Sequence, residues 1–277
     1  MSIQTPPTRS LLRNEAMAMS YLGELPAVLF PEVFKEAFAR RHINIVKEMV
    51  AVWPFPRLAV GALMETPNLE IYKALLDGVD MGLKEEFQHR FLMTRLETLS
   101  ITNYITSQRD LNSLSCCESL FQLKHLDLRG TVLYSLDLMP LRALLHKVED
   151  TLEILQLEGC RMIDSQLNAL LPALRQCSQL TKINLYKNDF SMHILMALLQ
   201  HTDNWNKIVV EQYPAPLECY ELSHVSRERF SQLCSQLMAT LRAIRQPKNI
   251  AFASKMCQRC AKHCVYTQVT RLCRCWH

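Results

Sequence analysis

Glycine is scarce in this chain, 6 among 277 residues, and neither GxGxxG nor GxxxxGK[ST] occurs. Without such a loop there is no backbone cradle for a phosphate, so nucleotide binding has no support. Long apolar runs are also missing: none approaches the ~18 residues that a membrane helix needs. Met1 to Ser10 carries no apolar run behind a basic start, so the pattern of a secretory leader is not there. The expectation is a soluble chain of the cytoplasm or nucleus, without membrane contact. Excess charge is lacking as well. The net charge is +4, and Lys and Arg are scattered, which argues against a dedicated nucleic-acid surface. No cysteine has a readable His and Asn or Asp pairing, and no carboxylates are paired at catalytic spacing, so the chain is not expected to be an enzyme.

What is abundant is aliphatic side chain. Hydrophobic residues make up 49% and charged residues 21%, enough for a sizeable core. Leucines recur in the pattern LxxLxL at Leu96-Leu99-Ile101, Leu123-Leu126-Leu128, Leu152-Leu155-Leu157 and Leu180-Ile183-Leu185. A looser copy reads Trp205-Ile208-Val210, and a weak one Pro247-Ile250-Phe252. The starts lie 27, 29, 28, 25 and 42 residues apart. The ninth positions of the first five copies are Tyr104, Thr131, Cys160, Asn188 and Tyr213. A period in the high twenties with this core is the leucine-rich-repeat signature, one strand and one helix per unit. The fold class expected is α/β: a leucine-rich-repeat solenoid, parallel sheet on the concave side and helices outside, with an N-terminal helical cap. The division expected is 1–90 helical, 91–253 repeats and 254–277 a Cys-rich cap or tail.

Side chains alternate along a strand, so the residues between the leucines face the concave side. Row by row these are Thr98, Ser100, Thr102; His125, Asp127, Arg129; Ile154, Gln156, Glu158; Lys182, Asn184, Tyr186; and Lys207, Val209, Glu211. Both charge signs and a tyrosine suit a protein partner better than a phosphate backbone, although a solvated face without ligand reads the same way. LxxLL boxes, of the kind that dock on nuclear receptors, occur at Leu141 to Leu145, Leu167 to Leu171 and Leu195 to Leu199. Their spacing is the repeat period itself, which assigns them to the buried helix faces.

The first 82 residues lack the repeat and read as four helices, the third stopped by Trp53-Pro54-Phe55-Pro56 and the fourth closing near Gly78 to Gly82. Two segments there have the spacing of docking peptides. Leu12 and Ala16 sit four apart, as in elongin-binding helices, although Leu11 and Ser20 depart from that pattern. Leu25, Pro26, Leu29 and Val33 match apolar-Pro-x-x-apolar-x-x-x-apolar, the pattern of a cullin-2 box. Both segments read equally as ordinary amphipathic helix starts.

Five of the 11 cysteines fall in the last 21 residues. Cys257, Cys260, Cys264 and Cys273 could close a tetrahedral zinc shell, although the second half is CxC rather than CxxC. A metal-free cap on the last strand and a disordered thiol-rich tail stand beside that reading, and no other cofactor is expected.

Segments 12–16 (LRNEA), 24–31 (ELPAVLFP), 47–55 (KEMVAVWPF), 73–78 (KALLDG), 96–103 (LETLSITN), 164–174 (DSQLNALLPAL), 213–217 (YPAPL) and 245–248 (RQPK) are distributed along nearly the whole chain. In combination they resemble the PRAME family, which comprises preferentially expressed antigen in melanoma and its PRAME-like and oogenesin relatives. The resemblance implies a substrate receptor of a cullin-2 RING ubiquitin ligase, docked through elongin B and C, that holds an unidentified protein for ubiquitination. It also implies repression of transcription, differentiation and apoptosis, and support of proliferation. Family members run longer. Here the helices pass to the late repeats through Lys84 to Leu92 with no middle section, so this resembles a shortened member.

Overall fold

The computed structural model describes residues 12, 15–63, 68–84, 96–221, 224–257, 260–267 and 271–272. The N-terminal part holds helices α1 (Glu15–Tyr21), α2 (Phe30–Ala39), α3 (Ile43–Ala51) and α4 (Leu69–Lys84). Pro31 stands in the first turn of α2, where its missing N–H costs nothing. The apolar positions at helical spacing are the ones that are covered: Val33, Phe34, Ala37 and Phe38 on α2, and Ile45, Val46, Met49 and Val50 on α3. Trp53, which ends the α3 segment, packs edge-on against Phe34 at 5.0 Å and Phe55 at 5.6 Å.

Helix α4 runs through Gly78 and ends at Lys84, two residues past Gly82. Gly78 is there for space: an added Cβ would lie 2.4 Å from the Lys47 carbonyl oxygen and 2.8 Å from Val50 Cβ. Its helix cost of about 1 kcal/mol is accepted so that α3 and α4 can touch backbone to backbone.

Beyond α4 the chain alternates strand and helix: β2 (Thr98–Ser100), α5 (Gln108–Cys116), β3 (His125–Asp127), α6 (Met139–Lys147), β4 (Ile154–Gln156), α7 (Asp164–Gln176), β5 (Lys182–Asn184), α8 (Met192–Gln200) and β6 (Val210–Pro214). A small hairpin, β7 (Tyr220–Glu221) and β8 (His224–Val225), precedes α9 (Arg227–Ile244), β9 (Asn249–Ala253) and β10 (Val265–Tyr266). The strands β2 to β6 and β9 form one parallel sheet in chain order, closed by an antiparallel β10. The fold is thus mixed α/β around a mostly parallel eight-stranded sheet.

The six repeat cores account for β2 to β6 and β9; β10 and a strand at the opposite edge are additions to that pattern. β1 (Arg57–Ala59) comes from the helical part and pairs in parallel with β2. Phe55-x-x-Leu58-x-Val60 is one more copy of the aliphatic pattern, with Leu58 opposite Leu99. Gly61 follows it because nothing larger fits: a Cβ would meet the Thr102 backbone nitrogen at 2.4 Å. The indole of Trp53 donates to the Arg57 carbonyl at 3.0 Å, covering one backbone group on the outer edge of β1.

Pairing register builds one aliphatic column across the sheet: Leu58, Leu99, Leu126, Leu155 and Ile183, resumed by Ile250. Every one of these side chains is buried. Full burial of such a side chain contributes about 1.5–3 kcal/mol.

After β2, β3, β4 and β5 the chain turns through a left-handed residue at the same motif position: Asn103, Gly130, Gly159 and Lys187, with φ between 56° and 71°. That turn lets the backbone keep its ladder, with the N–H of Asn103, Gly130 and Gly159 each donating to the next unit at 2.8 Å. The following position then ties each unit to the one before it. Thr131 Oγ1 donates to the Ile101 carbonyl at 2.9 Å, Cys160 Sγ to that of Leu128 at 3.1 Å, and Asn188 Nδ2 to that of Leu157 at 2.8 Å. Burial pushes the Cys160 thiol up to about 12, so it acts as a protonated donor.

A candidate interaction face on the sheet

The sheet face turned away from the aliphatic column carries three rows of polar side chains. Along the first, Thr98, His125, Ile154, Lys182 and Val210 stand in register; along the second, Ser100, Asp127, Gln156, Asn184 and Gln212. A third row, Thr102, Arg129, Glu158 and Tyr186, sits just past the strand ends. All eight residues expected to bind a partner here, His125, Asp127, Arg129, Gln156, Glu158, Lys182, Asn184 and Tyr186, fall on these rows.

Much of the charge on this face is locally neutralised, while Lys182 has no ion-pair partner among the described residues. Arg129 grips Asp127 through Nε at 2.9 Å and Nη2 at 2.7 Å, and Ser100 Oγ donates to the same carboxylate at 3.4 Å. Lys187 Nζ lies 2.6 Å from Glu158 Oε1, and Asn184 Nδ2 donates to Oε2 at 2.9 Å. Thr98 Oγ1 meets His125 Nδ1 at 3.2 Å, and Glu153 stands 3.9 Å from its Nε2. Burial pushes the Asp127 carboxyl up, but the side-chain and backbone hydrogen bonds of Arg129 outweigh it and hold it below its ordinary value. For Glu158 burial is likewise outweighed, here by Lys187 and Asn184. Burial raises Tyr186 to about 12, leaving it a neutral donor. Thr102, Asn103, Arg129, Gly130, Glu158, Gly159 and Lys187 line an open depression of about 430 Å³ where the strands end.

A pH dependence follows. A carboxyl depressed in the folded state adds stability above its unfolded value near 4, and that stability is lost as pH falls through the lower folded value. The urea midpoint should therefore drop on going from neutral pH to below 4. Asp127→Asn with Glu158→Gln should flatten that dependence; an unchanged slope would mean the pairs contribute nothing.

The fifth unit requires a correction. Ile183 pairs with Glu211, not with Ile208, so the frame lies three residues later than Trp205-Ile208-Val210 suggests. It reads Ile208-x-x-Glu211-x-Tyr213, and Val210 and Gln212 face outward in place of Lys207, Val209 and Glu211. Trp205 fills the core from the preceding loop, its Nε1 donating to the Leu174 carbonyl at 3.0 Å, which is why its bulk imitated the first leucine. The signal available was the period: 28 residues from Leu180 reaches Ile208. Glu211 thus stands in the aliphatic column and is 1% exposed, held by the largely covered Arg245. On α9, Phe230, Cys234, Leu237, Met238 and Leu241 are inside, and Ile244 is at the rim.

Of the docking positions, Leu12 and Val33 are buried and Leu25 is half-buried, while Pro26 and Leu29 are exposed. Ala16 lies on α1. Val28, between Pro26 and Leu29, is 85% exposed. In the tail, Cys257 and Cys260 are half-buried and Cys264 is buried, while Cys273 lies outside the described residues. Among the described residues no three His, Cys, Asp or Glu side chains gather as a metal site, and no helix is long and apolar enough to cross a membrane.

Comparison with known proteins places these features in a lineage. Family models described as the PRAME N-terminal domain and the PRAME C-terminal domain match residues 5–105 and 74–275. PRAME family member 20 of Homo sapiens is 28% identical over 474 positions, covering 99% of this chain and 100% of that protein. Oogenesin-3 of Mus musculus is 44% identical over 476 positions, covering 98% and 94% respectively. PRAME family member 12 of Homo sapiens is 47% identical over 178 residues, 64% of this chain and 37% of that protein. An alignment of 474 positions against 277 residues leaves about 200 positions of family member 20 with no counterpart here, in keeping with a shortened member. With both of its domains matched by those models, the chain belongs to the PRAME family.

Proposed function

We propose that this chain is a leucine-rich-repeat solenoid acting as a non-enzymatic adaptor, a substrate receptor for a cullin-2 RING ubiquitin ligase in the cytoplasm or nucleus. The observation that carries the reading is the in-register sheet. Its outward rows offer Arg129, Lys182, Glu158 and Tyr186 side by side to a folded protein surface, with Arg129 and Glu158 already ion-paired. Pro26, Val28 and Leu29 form an exposed apolar turn suited to elongin B/C and cullin-2 components. Leu12 and Val33 are buried in the core. The family-implied effects on transcription, apoptosis and proliferation would follow from which protein is held.

A second reading, a scaffold or transcriptional co-regulator without ligase, draws on the burial of Leu12 and Val33, which takes two of the docking positions out of reach. Affinity capture from cells treated with a proteasome inhibitor separates the two. Cullin-2 and elongin C should co-purify with the chain and be lost on Val28→Asp with Pro26→Ala, both surface changes that spare the core. Retention of other proteins without elongin, in the unmodified chain, would establish the scaffold.

A further inference from the structure

Where β6 and β9 meet the end of α9, a cleft of about 550 Å³ opens beyond the paired charges, at the end of the first two rows, whose Val210 and Gln212 line it. Its rim carries three cations: Arg242 on α9, Lys248 before β9, and Arg271, whose backbone bridges to Val265. All three are exposed, and none has an ion-pair partner among the described residues. Further along the same sheet, by contrast, Lys124, Arg129 and Lys187 each hold a carboxylate within 2.7 Å. The one carboxylate among the described residues that line the cleft, Glu211, is spent: both its oxygens are held by Arg245 and one also accepts from Tyr213. Among the described residues the cleft therefore gathers positive charge that no carboxylate offsets, an arrangement that focuses field lines toward an anion.

The floor narrows the choice of anion. Val210, Met238, Pro247, Ile250 and Ala251 make it apolar, while Gln246 and Asn249 supply amides at the edge. Among the described residues no aromatic side chain lines it, so they offer a single-stranded nucleic acid no base-stacking platform. We propose that this cleft captures an acidic segment of a partner protein, its side-chain carboxylates held by Arg242, Lys248 and Arg271 and its aliphatic side chains resting on the floor. This goes beyond the adaptor reading and does not depend on elongin docking.

The test is fluorescence anisotropy of the full chain with a labelled, N-acetylated and C-amidated peptide of about ten alternating Glu and Leu residues. Binding should be about tenfold tighter than to the Lys–Leu counterpart and weaken about tenfold between about 50 and 300 mM salt. The combined Arg242→Glu, Lys248→Glu, Arg271→Glu variant should lose about tenfold or more. Lys73→Glu, on an exposed part of α4, should bind as the unmodified chain does. Arg242→Gln alone should lose a few-fold, which keeps the test sharp if the triple variant unfolds. Equal binding of the two peptides, or no loss in either cleft variant, would overturn the proposal. Tighter binding of a ten-nucleotide oligothymidylate than of the acidic peptide would overturn it too, in favour of nucleic acid.

Discussion

Replacing Glu211 by alanine is expected to destabilise the chain by about 3–5 kcal/mol, because it strands the Arg245 guanidinium in the core. The two side chains are 1% and 11% exposed, and the guanidinium donates to both carboxylate oxygens. Arg245 Nε also donates to Thr202 Oγ1 at 3.1 Å, and its plane lies 5.9 Å over the Trp205 ring. The Tyr213 hydroxyl donates to Glu211 Oε2 at 2.8 Å, and burial followed by the neighbouring carboxylate raises that phenol well above its ordinary range. Arg245→Ala should cost a similar amount for the mirror reason, leaving an uncompensated carboxylate. Putting leucine at 211 together with methionine at 245 should return stability close to the starting value, since a buried ion pair is often no better than well-packed apolar groups of similar volume. Urea unfolding of the three variants measures this directly. A Glu211→Ala cost below about 1 kcal/mol would mean that the side chain reaches water and that the register with Ile183 is wrong.

The next largest effect concerns the LxxLL boxes. Leu145→Ala and Leu199→Ala are each expected to cost about 2–5 kcal/mol, the lost transfer energy plus the cavity left behind. Leu141, Leu144 and Leu145 on α6 are fully buried, as are Leu167 and Leu170 on α7 and Leu195 and Leu199 on α8. Each box is therefore the inner face of its own helix, packed on the next helix of the stack. Urea midpoints should fall for every one of these substitutions. A set of variants as stable as the parent would reassign the boxes to an exposed docking face.

The aliphatic period made the strands readable because each inward side chain must be apolar, whatever its neighbours are. The same logic placed Leu99, Leu126, Leu155 and Ile183 correctly, together with the helices Met139–Lys147, Asp164–Gln176 and Met192–Gln200 that follow β3 to β5. It failed where an inward position is polar. At Glu211 the pattern offered Ile208 and Val210 as better leucines, and the outward set shifted with them. It also passed over Phe55-x-x-Leu58-x-Val60, because the surrounding prolines read as the end of a helix, not as an edge strand.

Of the interaction face, the chain of residues already displayed which side chains would share rows, since alternation along a strand is a local property. Which of those charges are free is not local. Arg129 is neutralised by a residue two positions away, but Glu158 by Lys187 of the following unit, and Glu211 by Arg245 on the far side of α9. Local periodicity determined that this protein stacks strand and helix around an aliphatic interior. Only the three-dimensional packing decided where that interior tolerates an ion pair, which cations remain unpaired, and that a strand from the helical region completes the sheet. Those outcomes depend on contacts between residues tens of positions apart, and no periodicity encodes them.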